Sequence, residues 1–89
     1  MRFQPGILTA TPGALEALED AKQLPMEFVQ RHLNGDWGEV CKEDAAENEL
    51  SVRLHFRILS AYRTNKGVRL WVITEADRSS TTILLPEEY

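Results

Sequence analysis

His32, Arg57, Arg63 and Arg78, together with the hydroxyls of Tyr62, Thr74 and Thr81, are the residue types that cleave RNA without a metal. Such a reaction needs an acid or base that titrates near neutrality, a cation to meet the charge growing on the phosphorus, and hydroxyls that place the phosphate. His32, whose ordinary pKa lies near about 6.5, fits the first role. Arg57, Arg63 and Arg78 fit the second, and Tyr62, Thr74 or Thr81 the third. Each residue also has a plainer reading. His32 falls at the end of a predicted helix, where a cation answers the macrodipole. Arg57 and Arg63 alternate with apolar residues, as on the wet side of a strand. The net charge of −4 speaks against a polyanion substrate, because such binding shows as a basic excess.

A second group of residues points to binding instead. The segment Arg31-His32-Leu33-Asn34-Gly35-Asp36-Trp37-Gly38 carries more than a loop needs, since Asn34-Gly35 alone would end a helix. Asp36, Trp37, Glu39, Glu43 and Asp44 follow one another closely, with Glu47 and Glu49 beyond them, and form an acidic stretch with an aromatic anchor of the kind that dominates interfaces. Arg78, in a loop between two strands, joins them as a binding candidate. The lone Cys41 stands between Glu39 and Glu43, which disfavour its thiolate. His32, Asp36, Cys41 and His55 match no zinc spacing, so no metal and no cofactor is expected.

Charge and composition fit the second group better. The 89 residues are 43% hydrophobic and 27% charged, the balance of an ordinary globular domain with one small core. Residues 1–50 hold four basic and ten acidic side chains, whereas residues 51–89 hold six basic and four acidic ones. This polarity would orient a charged partner. Neither a membrane span nor a secretory signal is visible, and a single cysteine suits a reducing compartment, so a cytoplasmic protein is expected.

The elements that must position these residues can be read from period and punctuation. Ile7–Ala10 reads as a short edge strand after Pro5-Gly6. Thr11-Pro12 reads as a helix N-cap followed by a first-turn proline, and Ala14, Leu15, Leu18 and Ala21 give residues 12–22 a helical stripe. A second helix starts near Pro25, buries Phe28, Val29 and Leu33, and stops at Asn34-Gly35. Lys42 to Leu50 reads as a third, polar helix or helical turn. From Leu54 the period becomes two: Phe56, Ile58, Ser60 and Tyr62 share one face, Thr64-Asn65-Lys66-Gly67 turns the chain, and Val68, Leu70 and Val72 continue that face. Asp77 caps a turn in which Arg78 pairs with Glu75 or another carboxylate, and a last strand, 81–85, ends at Pro86. The expected fold is one α+β domain spanning 1–89, with a helical part at about 11–50 and a meander at about 54–86. Two to three short helices pack on a three- to four-stranded antiparallel sheet.

The combination of Arg31-His32, Gly35-Asp36-Trp37-Gly38, Arg57-Ile58-Leu59-Ser60-Ala61-Tyr62, Trp71 to Ser79 and Thr81 to Pro86 resembles a family of small proteins encoded on plasmids and other mobile elements. Members carry labels such as plasmid-related protein or restriction-system subunit. The resemblance implies a genetic setting and no particular chemistry. In that setting, small acidic proteins act by occupying a host or rival complex, as anti-restriction and anti-CRISPR inhibitors do. The favoured expectation is thus a macromolecule-binding protein whose partner is a protein, with a homodimer expected if a sheet face is left bare. The alternative is a compact ribonuclease of the layout of barnase or the RelE toxins, acting on RNA through His32, Arg57, Tyr62, Arg78 and Thr81.

Overall fold

The computed structural model describes residues Met1–Tyr89. In chain order its elements are β1 (Ile7–Ala10), α1 (Pro12–Ala21), α2 (Pro25–Leu33), α3 (Lys42–Leu54), β2 (Ile58–Arg63), β3 (Arg69–Thr74), β4 (Ser80–Leu84) and a short 3-10 turn, Pro86–Glu88. The fold is α+β, with three helices and a four-stranded sheet.

Local chemistry explains most of the boundaries. The Thr11 hydroxyl accepts from the Ala14 amide, which caps α1 just ahead of Pro12. At the end of α2 the Gly35 amide reaches the His32 carbonyl and the Asp36 amide reaches the Arg31 carbonyl, the paired bonds of a Schellman closure. Gly35 has the positive φ of 87° that this closure needs.

α3 runs four residues past the expected Leu50, so Ser51 to Leu54 are helical and do not lead into a strand. Its sheet-facing positions explain why it has no apolar signature. They include two buried polar residues, Asn48 and Ser51, where a sequence pattern looks for leucines. Phe56, expected to begin an inward-facing row, precedes β2 and is exposed.

The sheet has the order β1-β4-β3-β2. β2, β3 and β4 form the expected antiparallel meander, with Ser60 opposite Val72 and Ile73 opposite Thr82. β1 corrects the expectation of an all-antiparallel sheet, because it lies parallel to β4, with Leu8 beside Thr81 and Ala10 beside Ile83. A tight turn forces reversal, but three helices separate β1 from the next strand and leave its direction free. It therefore runs the same way as β2 and β4.

One face of the sheet carries Ile58, Tyr62, Leu70, Val72 and Ile83, which join Leu18 of α1 and Phe28, Val29 and Leu33 of α2 in a single apolar cluster. Phe3 and Trp37 close that cluster at one end. No helix is long and apolar enough to cross a membrane.

Candidate functional site

The residues chosen for catalysis are brought together in part, but inside the molecule. His32 is fully buried on α2. Its Nδ1 lies 2.6 Å from the Ser60 hydroxyl on β2 and its Nε2 lies 2.9 Å from the Thr74 hydroxyl on β3. Thr74 is 2.7 Å from the Thr81 hydroxyl on β4, which donates to the Pro5 carbonyl at 2.8 Å.

The polarity of this chain follows from its last member. A carbonyl only accepts, so Thr81 spends its proton there and accepts from Thr74, which in turn accepts from Nε2–H. Nδ1 is then bare and accepts from Ser60. The imidazole is neutral, and burial, aided by the nearby Arg78 charge, holds its pKa down at about 4. With both nitrogens occupied and no exposed surface, His32 has no route to a substrate.

Tyr62 and Arg78 of that set are also engaged within the fold, although the Arg78 Nε is buried without a hydrogen-bond partner. Tyr62 is buried, its hydroxyl donates to the Asp36 carbonyl at 2.5 Å, and burial pushes its pKa up to about 12. Arg78, in the left-handed conformation with φ 61°, donates to the carbonyls of Phe56 and Ser51 at 2.8 Å each, and to those of Glu75 and Ala76 at 3.2 Å. It therefore pairs with carbonyls where a carboxylate was expected, and it neutralises the carbonyl end of α3. Its guanidinium also covers the Phe3 ring, 5.6 Å from the centroid. Asp77 caps its turn as expected, accepting from the Ser79 amide at 2.9 Å.

The Asp36-Trp37-Gly38 turn is likewise part of the scaffold. Trp37 is buried, stacks on Phe3 with centroids 6.3 Å apart, and donates from Nε1 to Glu49 at 3.0 Å. Arg2 grips the same carboxylate, and these two donors hold the Glu49 pKa down to about 2. Asp36 pairs with Arg31 at 2.7 Å, and Glu39 with Arg63 at 2.9 Å. Two of the acidic residues chosen for binding are thus already engaged by this chain's own arginines.

Glu43 and Asp44 are exposed in the first turn of α3 and take part in no salt bridge. Glu43 sits low in the carboxylate range because its own backbone amide and then the Cys41 thiol donate to it. Asp44 lines a groove of about 400 Å³ between α3 and the start of β2. Glu47, Asn48, Ser51, Phe56, Arg57 and Leu59 complete its walls.

Asn48 builds the floor of this groove. Its side-chain amide donates to the Leu59 carbonyl at 2.8 Å and accepts from the Leu59 amide at 3.2 Å, as a neighbouring strand would. Phe56 stands 54% exposed at one wall. The Arg57 guanidinium lies 5.2 Å from the centroid of Tyr89, whose ring meets the edge of Trp71 at 5.7 Å. Arg57 therefore belongs to the sheet face opposite the one that buries His32. The groove combines two carboxylates, one guanidinium and an exposed ring.

Sequence reasoning reached Asp44 and Arg57 but not the groove, because Phe56 was placed in the inward row. The signal lay in Asn48, a residue whose amide can substitute for a strand neighbour, on a helix lacking an apolar stripe. No group of histidine, cysteine and carboxylate side chains is placed to hold a metal ion. The chain matches no family model, no curated protein and no solved structure.

Proposed function

We propose that this chain is a binding module that engages another protein through the α3–β2 groove. The observation that carries this reading is the set of carboxylates at Asp44 and Glu47, in no salt bridge, beside the exposed Phe56 ring. Carboxylates of this kind steer a basic partner, and an exposed aromatic anchors it. The partner segment that fits is extended, with a lysine or arginine for the carboxylates and an apolar side chain for Phe56 and Leu59. Arg57 supplies one opposite charge and so sets orientation.

The resemblance to proteins of plasmids and mobile elements supports a cytoplasmic partner from a host or rival defence complex of the restriction or CRISPR type. Such assemblies present basic surface to DNA. The reading is tested with a fluorescent peptide that alternates lysine and leucine, titrated against the wild type and the Asp44→Lys/Glu47→Lys double variant. Binding that falls at least tenfold in the variant and weakens steeply with salt is expected. Equal binding by both proteins, or binding insensitive to salt, would reject the groove as the site.

A further inference from the structure

The opposite edge of the sheet carries a second, independent surface. In the parallel β1–β4 ladder, Ile7 and Thr11 turn their amides inward, to the Ser79 carbonyl and the Ile83 carbonyl at 3.0 Å each. Strand alternation then directs the amides and carbonyls of Leu8 and Ala10 outward, and no further backbone bond reaches them. The strand is short and lies between Pro5 and Pro12, but no charge guards it, since Phe3 to Leu15 contains no charged residue. Leu8 and Ala10 face the helical side and open onto a groove of about 290 Å³, whose other walls include Leu15, Met26 and Val29. No charged residue lines that groove.

We infer that β1 pairs antiparallel with β1 of a second copy about a two-fold axis through Thr9, joining two four-stranded sheets into one of eight strands. In this register Leu8 faces Ala10 of the other copy, and each pair exchanges two hydrogen bonds. The chain itself supplies both halves of the contact, an unpaired edge and a bare apolar groove, and the symmetry satisfies both at once. The lack of charge on this surface matters in a protein of net charge −4, because it lets two copies meet without bringing like charges together.

Leu8, Leu15 and Met26, which line this groove, are between 42% and 48% exposed in the single chain, so they are apolar surface that a second copy can cover.

The test combines sedimentation with amide exchange. Across a dilution series the wild type is expected to pass from twice the mass of one chain to the mass of one chain. The Leu8 and Ala10 amides should be protected at high concentration and exchange freely on dilution, while those of Ile7 and Thr9 stay protected throughout. Leu8→Lys should be monomeric at every concentration with an unchanged circular-dichroism spectrum. A wild type that stays monomeric into the millimolar range would overturn the inference. So would a dimer whose Leu8 and Ala10 amides exchange freely, a readout that does not depend on the variant folding.

Discussion

The two edges of the sheet solve the same problem in opposite ways. At β2 the outward groups of Leu59 are taken by the Asn48 amide, and those of Ala61 by the Trp37 carbonyl at 3.1 Å and the Glu39 amide at 2.7 Å. At β1 the corresponding groups of Leu8 and Ala10 have no such cover. The difference teaches that this chain can close an edge with a single side chain and three residues of loop. An edge left bare beside apolar side chains is therefore informative. Between the two edges runs the hydrogen-bonded chain from Ser60 through His32, Thr74 and Thr81 to Pro5, which touches β2, β3 and β4 and the residues leading into β1.

The contrast breaks most completely at Gly38. Its φ is +73°, and an added Cβ would lie 1.9 Å from the Ala61 carbonyl oxygen, so Gly38→Val must push the covering loop off β2. A loss of about 3 kcal/mol or more is expected, read by chemical denaturation, with faster exchange of the Ala61 amide.

Acidification acts on the link between the edges. Because the folded His32 pKa is depressed to about 4 from 6.5, the unfolded chain binds the extra proton first. This contribution is fully present above pH 6.5 and is lost as pH falls toward 4. The loss amounts to about 3 kcal/mol and levels off at lower pH, and His32→Gln should flatten that part of the stability profile.

Asn48→Ala is the milder way to open the β2 edge. It strands the Leu59 amide and carbonyl where water can partly replace the lost partner, and a cost of about 1–2 kcal/mol in denaturant titration is expected. The Leu8→Lys variant of the dimer experiment sharpens the comparison from the other side. As a monomer it should lie within about 0.5 kcal/mol of the wild type, since Leu8 is already exposed.

Elements fixed by local chemistry were legible in the sequence. Thr11-Pro12, Asn34-Gly35 and Thr64 to Gly67 mark their boundaries because caps and turns depend on a few adjacent residues. The parallel placement of β1 was not legible, since it depends on pairing Leu8 with Thr81 across most of the chain. Nor was the length of α3, which is held by the Asn48 clasp and by Arg78 at its last carbonyls.

For the site, the residue types drew attention to His32, Tyr62 and Arg78, but type alone does not separate a reactive group from a satisfied one. The spacing did contain the answer. His32 lies four residues after Phe28 and beside Leu33, on the apolar face of α2, and Ser60 and Thr74 sit in the inward rows of their strands. Three polar residues at core positions on three elements signal a buried network. The α3–β2 groove left a fainter trace, because an exposed phenylalanine next to a strand resembles the strand's own pattern.

The parallel pairing of β1 with β4 also bears on how the chain acquires its shape during synthesis. β1 has to wait for β4, with Leu8 opposite Thr81, before it finds its neighbour. Glu88, which binds the Thr11 hydroxyl and the Gly13 amide, emerges later still. The β2–β3 hairpin and the helical pair α1–α2 can form from contacts close in sequence, whereas β1 is recruited only when β4 arrives. Until then its uncharged strand and the Pro5 carbonyl stay unsatisfied, so a chain cut short before β4 leaves an unpaired apolar strand open to whatever surrounds it.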